Sequence, residues 1–265
     1  MEFKRHSRGL AQSVTVFVIL LVWCMLTVPF FGREPIADPA IIPPPQSVLS
    51  SLVLLVAQHG LGNDLTRTLG RLLAALAAAI GIGVPLGLLF GVERGVYAYF
   101  EGLIHALRSV PAAALFPLFM LIIGVGETSI VALATYNSLM VIIIHTVSGT
   151  LVANEQRLQQ ARSLGLGQWS IAREVLFWEA LPHVMSGIRV ASGYTLALII
   201  AVEMFIGNSQ EGLGRKIYDY QAAYRTPEVY ATITLTGMVG VGMNFALTLV
   251  ERRLLRWVPN SRMEA

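Results

Sequence analysis

Glu203 is an acidic side chain inside an apolar run, Ile188–Gly207. A carboxylate surrounded by hydrocarbon is costly, so it must face a cavity or a partner. Asn137 and Asn244 pose the same question in the runs Ile130–Gly149 and Ala231–Val250, and Tyr136 and Tyr194 join them as candidates for lining a polar path. Glu203 fits a hydrogen-bonded lock between helices equally well. Tyr194 and His145 also suit interfacial or packed positions. Thr135, Ser138, Thr146, Thr195, Thr234, Thr236 and Thr248 can satisfy themselves on helix carbonyls. Hydrolytic and redox chemistry has less of a foothold. There is no Gly-x-x-x-x-Gly-Lys-[Ser/Thr] phosphate cradle, no His-Glu-x-x-His and no Gly-x-Ser-x-Gly. His6, His59, His105, His145 and His183 are dispersed, and the lone Cys24 excludes an intrachain disulfide. The chain itself is expected to bind no metal and no cofactor.

The elements that position these residues follow from composition. The chain has 265 residues, 55% hydrophobic and 13% charged, with a mean hydropathy of +0.65. A soluble globule carries about a quarter of its residues charged, and here the apolar residues come in blocks near the roughly 20 residues needed to cross hydrocarbon. The reading is an all-α polytopic membrane protein of about six transmembrane helices. They run over Val14–Phe31, Leu69–Gly91, Val110–Gly124 (its start extending back toward Leu107), Ile130–Gly149, Ile188–Gly207 and Ala231–Val250. The alternating ten-residue segments of a β-barrel are absent. Gly81, Gly83 and Gly87 after the alanine run Ala74–Ala79 let helix backbones approach closely. Pro85 and Pro117 are expected to bend their helices.

The chain is read as one membrane domain over 1–265. Residues 1–31 are a tail and first span, 32–68 an external loop, 69–250 a five-span core containing a cytoplasmic loop at 151–187, and 251–265 a tail. The first span exceeds a signal-peptide core in length and ends in Phe30-Phe31-Gly32-Arg33 without a small-residue cleavage site, so it reads as an uncleaved anchor. Ile42-Pro43-Pro44-Pro45 is extended. It leads into a helix over Gln46–Gln58 whose Leu49, Leu52, Val53 and Val56 share a face suited to lying on the membrane surface. Arg94, Arg108, Arg157, Arg162, Arg173, Arg189, Arg252, Arg253, Arg256 and Arg262 lie on the same side as Lys4, Arg5 and Arg8, against only Arg33, Arg67, Arg71, Arg215, Lys216 and Arg225 opposite, so both termini are expected in the cytoplasm. The positive charge is scattered and does not suggest nucleic acid. In the cytoplasmic loop, Asn154–Leu164 and Gln168–Trp178 read as two short amphipathic helices hinged at Gly165 and Gly167. Leu158, Ala161 and Leu164, with Trp169, Ala172 and Val175, form apolar faces that need either their own bundle or a partner groove.

Gln159-Gln160-Ala161-Arg162-Ser163-Leu164-Gly165, continuing through Val175 to Leu181-Pro182, resembles the EAA loop of binding-protein-dependent ABC importer permeases. Leu107-Arg108-Ser109-Val110-Pro111, Ala201-Val202-Glu203-Met204 and Leu249–Trp257 resemble the nitrate/sulfonate/taurine/bicarbonate branch of that family, and the resemblance covers nearly the whole chain. Gln159 stands where the family usually has Glu, and Gln160 where it has Ala, which puts a particular salt bridge in question but leaves the hinge intact. The resemblance implies a permease subunit of an ATP-driven importer in a bacterial inner membrane, moving a small solute such as a sulfonate, nitrate or bicarbonate by alternating access. It implies pairing with a second copy of itself, two ABC ATPase subunits that carry the ATP and Mg, and an external solute-binding protein. On the residues alone, two other classes stay open. One is a secondary transporter or channel, which would respond to ion gradients and not to ATP. The other is a non-transporting membrane anchor, which would be indifferent to substitutions in its polar path.

Overall fold

The computed structural model describes residues 2–28, 35–58, 61–205 and 211–257, without the side chains of residues 2–13, Val16 and Gln58. Among the described residues helix is the only regular structure. Lipid offers backbone groups no water, and a helix satisfies its own. The helices are α1 (Glu2–Thr27), α2 (Pro45–Gln58), α3 (Leu61–Val92), α4 (Arg94–Ser109), α5 (Phe116–Ile123), α6 (Glu127–Leu151), α7 (Glu155–Ser163), α8 (Gln168–Ile171), α9 (Phe177–Phe205), α10 (Leu213–Ala222) and α11 (Thr226–Leu254). Four stretches are long and apolar enough to cross a membrane: α3, α6, Gln168–Phe205 and α11. The pair Arg94–Ser109 and Ala112–Ile123 adds a fifth if it is one broken span. The first expected span falls on α1, which ends at Thr27, and residues 29–31 lie outside the described residues, as do Arg33, His59 and Gly207.

Two expectations are corrected by prolines. The third span does not run back to Leu107, because α4 and the helical segment after it meet at 84°. Pro111 has no N–H to continue α4 and pushes Val110 to an extended conformation (φ −75°, ψ 122°). Pro117 does not fall in the middle of a long helix either: it stands in the first turn of α5, where a 3₁₀ turn over Ala112–Leu115 passes into α-helix. A third correction concerns the second loop helix, which is not short. From Gln168 the chain is helical through a π-helical turn at Ala172–Leu176 into α9, with Pro182 inside it.

The chain divides into two compact units. One comprises Leu65–Arg215 and Gly237–Ala265, and its core is the antiparallel pair α6 and α9, with Leu133, Ile142, Ala180, Ala191 and Ile199 buried. Glycines set the helix spacing. A Cβ on Gly83 would lie 3.0 Å from Ile142 Cγ2, one on Gly87 2.5 Å from Thr146 Cβ, and one on Gly91 would meet Thr150, so the i, i+4, i+8 row of α3 beds on the i, i+4, i+8 row of α6. Gly81, also expected at a close approach, has nothing within 4 Å of such a Cβ. On the other face of α6, Gly187 of α9 receives His145.

The other unit comprises Met1–Asp64 and Lys216–Thr236. Trp23 of α1 donates its indole N–H to the Pro43 carbonyl at 3.1 Å and lies 6.4 Å from the Tyr230 ring. The Thr226 hydroxyl donates to the Ala40 carbonyl at 2.7 Å. In α2, Val48 and Leu55 are buried, while of the face read as membrane-facing Leu49, Val53 and Val56 are exposed and Leu52 is half-buried.

Candidate functional site

Two groups of polar residues stand at opposite ends of α6 and α9. Where α3 and α6 begin and α9 finishes, Arg71 forms the hub. Its guanidinium grips Glu127 with both Nε (2.6 Å) and Nη2 (2.5 Å), and reaches Glu203 through Nη1 (2.5 Å). Glu203 also accepts the Thr68 hydroxyl at 2.9 Å and the Gly214 backbone N–H at 2.9 Å, while Thr68 accepts the Leu213 N–H at 3.0 Å. Arg71 and Glu203 are 4% and 3% exposed, and Thr68 is fully buried. Gly214 is required by this packing, since a Cβ there would lie 2.7 Å from the Glu203 Cβ. Buried charges persist in such a place only when paired and fully hydrogen-bonded. One carboxylate thereby ties α3, α9 and the start of α10 together, and the same arginine adds α6.

The remaining candidates for a polar path separate from this knot. Tyr136 gives its hydroxyl to the Leu107 carbonyl at 2.9 Å and packs on Phe119, which makes it a strut between α6 and the end of α4. Tyr194 is 65% exposed in the single chain and Asn244 is exposed, while Asn137 is half-buried. Ser138 and Thr195 share a 2.6 Å hydrogen bond between α6 and α9. Thr135, Thr146, Thr234, Thr236 and Thr248 bond the carbonyls of Val131, Ile142, Tyr230, Thr232 and Asn244, one turn back.

At the other end, after α6, the local sequence builds a compact projection. Asn154 caps α7 by accepting from the backbone N–H groups of Gln156 (2.9 Å) and Arg157 (3.4 Å). Gly165 ends the helix at φ +78°, with its N–H on the Arg162 carbonyl and the Leu166 N–H on the Ala161 carbonyl, the Schellman pattern. Arg157 pairs with Glu179, which fastens α7 to α9. The apolar face of the loop divides. Ala161, Ala172 and Leu181 are buried, and Leu158, Val175 and Pro182 are half-buried. Leu158 also helps line a cavity of about 520 Å³ with Gly91, Thr150, Ile171 and Leu176. Leu164 (81%) and Trp169 (69%) point outward on either side of Gly165, flanked by the exposed Gln159 and Gln160. α7 therefore packs against the helical segment that follows it, with Ala161 buried, and offers a second, smaller face through Leu164 and Trp169.

Arg71 is the residue that sequence reading missed, because it counts as one more external cation when its partners, on other helices, are unknown. Its position two residues inside the expected second span was the available signal.

Comparison with known proteins gives one consistent picture. Residues 83–258 match the family described as binding-protein-dependent transport system inner membrane component. The taurine transport system permease protein TauC of Escherichia coli K12 is 27% identical over 257 residues, covering 95% of this chain and 91% of TauC. The nitrate import permease protein NrtB of Synechocystis is 24% identical over 260 residues, with 95% and 91% covered. Among solved structures, an inward-facing MetNI methionine ABC transporter chain superposes with a TM-score of 0.65 at 20% identity, covering 72% of this chain and 94% of that one, a likeness of fold.

Proposed function

This chain belongs to the inner membrane components of binding-protein-dependent transport systems, and on that premise we propose that it is the pathway-forming half of an ATP-driven importer for a small oxyanion. It is a multi-pass membrane permease whose ATPase is a separate subunit, and the family implies an ATPase and a solute-binding protein as partners. The taurine and nitrate transport named for the relatives supports a small anionic solute.

One observation carries the mechanism: a capped helix ended by Gly165 holds Leu164 and Trp169 outward at one end of the α6–α9 pair, while Arg71 and Glu203 close the other. In this reading α7 and its turn dock on the ATPase, a groove of which covers Leu164 and Trp169. ATP-driven closure of two ATPases pushes on α7, and Arg157 with Glu179 passes the displacement to α9. α9 carries it to Glu203, where the ionic knot holds the outer ends of three helices as one body. Two identical permeases form the cavity between them, lined from α6, α9 and α11 by Asn137, Tyr194 and Asn244, with alternating access as its motion. Both termini lie in the cytoplasm, with the arginines at the end of α11 on that side and the Arg71 knot toward the exterior.

The test is reconstitution of the permease and its ATPase in liposomes, with the purified binding protein outside the transport pathway's entry. The reading expects solute uptake that requires ATP and the binding protein and survives collapse of ion gradients. Uptake that follows an ion gradient without ATP would overturn it.

A further inference from the structure

Arg189, in the apolar stretch of α9, pairs through Nη2 with Glu251 in the last turn of α11. The coupling path through Arg157, Glu179 and Glu203 uses neither residue, and each is costly where it stands. An arginine inside an apolar helix needs a partner, and a carboxylate in the last turn of a helix opposes the helix dipole. The pair is not built for strength. Arg71 spends Nε, Nη1 and Nη2 on two carboxylates, whereas the Nε of Arg189 is buried with no acceptor, alone in this among the side-chain atoms of the described residues. A buried donor left unpaired costs stability, and well-packed apolar side chains would join two helices as well or better. Stability therefore does not account for this arginine.

The packing of α11 supplies the reason. From Gly237 to Leu254 none of its residues is buried. Val239, Met243 and Leu247 meet the α6–α9 core only in part, and a Cβ on Gly240 would lie 3.5 Å from Leu196 Cδ2, an ordinary contact. The one buried anchor of this stretch is Leu255, just past the helix. Apolar contact is non-directional and leaves a helix free to slide or roll. Glu251, one turn before Leu255 and with its side chain only 16% exposed, fixes α11 to one level of α9. α9 thus carries ion pairs at three levels, Glu179 to α7, Arg189 to α11 and Glu203 to α3, spaced by about 15 and 21 Å along the helix. The middle one holds the helix that carries Asn244. We propose that Arg189 and Glu251 are positioning residues, a clamp that makes α11 follow α9 when the ATPases close, so that both walls of the pathway move together. The assignment rests on the importer reading and the paired permeases given above.

The test reads the motion without needing the solute. In a Cys24→Ser parent, a spin label is placed at Ala197→Cys on α9 or at Phe245→Cys on α11, both exposed positions. The distance between the labels of the two permease copies is measured by double electron–electron resonance, in nanodiscs with the ATPase, before and after trapping with ATP and vanadate. The proposal expects both labels to shift in the parent. Arg189→Met/Glu251→Leu removes both charges and leaves neither unpaired, so it should melt at or above the parent temperature. In that chain the α9 shift should remain while the α11 shift falls below about half of the parent's. The exchanged pair Arg189→Glu/Glu251→Arg should recover the α11 shift. An undiminished α11 shift in Arg189→Met/Glu251→Leu, or no recovery in the exchanged chain, would overturn the clamp alone. Absence of any shift in the parent would overturn the importer reading, and the clamp with it.

Discussion

Gly87 of α3 lies against Thr146 of α6 so closely that a Cβ on the glycine would sit 2.5 Å from the threonine Cβ and 3.2 Å from the Ile143 carbonyl oxygen. Thr146 is fully buried with its hydroxyl on the Ile142 carbonyl, so it has nowhere to move. Gly87→Val should therefore separate the two helices and cost about 1–3 kcal/mol, the usual penalty for overpacking. Thr146→Gly in the same chain should recover part of the loss, because the pair is in contact and does not behave additively. Thermal melts of the four proteins in detergent check this, and a Gly87→Val melt equal to wild type would contradict the packing.

A second expectation concerns the buried ion pair. Glu203→Ala leaves Arg71 with Glu127 alone in a buried site, and breaking one partner of such a pair costs about 3–5 kcal/mol. Glu203→Gln keeps the size and an acceptor for Thr68 and Gly214, so it should melt between Ala and wild type while still changing how strongly the binding protein stimulates the ATPase. Equal melting points and equal stimulation in Gln, Ala and wild type would show the carboxylate to be incidental.

Much of this architecture is legible in the sequence, because apolar runs longer than a core helix declare themselves. Helices α3, α6 and α11 fall over the expected spans and extend beyond them, α3 furthest, from Leu61 where Leu69 was expected. Close helix contact was legible at Gly83 and Gly87 from residue type, but Gly81 shows that type does not give the direction a residue faces. The break at Pro111 could have been read from Val110-Pro111, and was obscured because the apolar run continues through it. The division of the α7 face could not be read. Leu158, Ala161 and Leu164 share a helical stripe, yet Leu164 follows the last regular turn and swings outward where Gly165 reverses the chain. Arg71 and Glu203 are 132 positions apart, and nothing local to either names the other.

That division makes the loop testable at two positions with opposite outcomes. Leu164→Ala removes an exposed side chain and should leave the melting temperature unchanged while weakening retention of the ATPase about tenfold, as truncating an interface anchor does. Ala161→Leu forces extra volume into a buried position and should lower the melting temperature, by the cost of overpacking. If Ala161→Leu melts as wild type, α7 does not pack against the helical segment that follows it.

The most direct measurement is recovery of the ATPase with detergent-solubilised permease carrying Gly165→Asp. Aspartate at φ +78° adds a Cβ in a conformation costing on the order of 1 kcal/mol, with open space around it, so the bundle should stay folded while the directions of Leu164 and Trp169 change. The predicted result is a membrane-inserted permease with near wild-type melting that no longer retains its ATPase. Undiminished recovery of the ATPase with full transport would contradict the assignment of this turn as the coupling element.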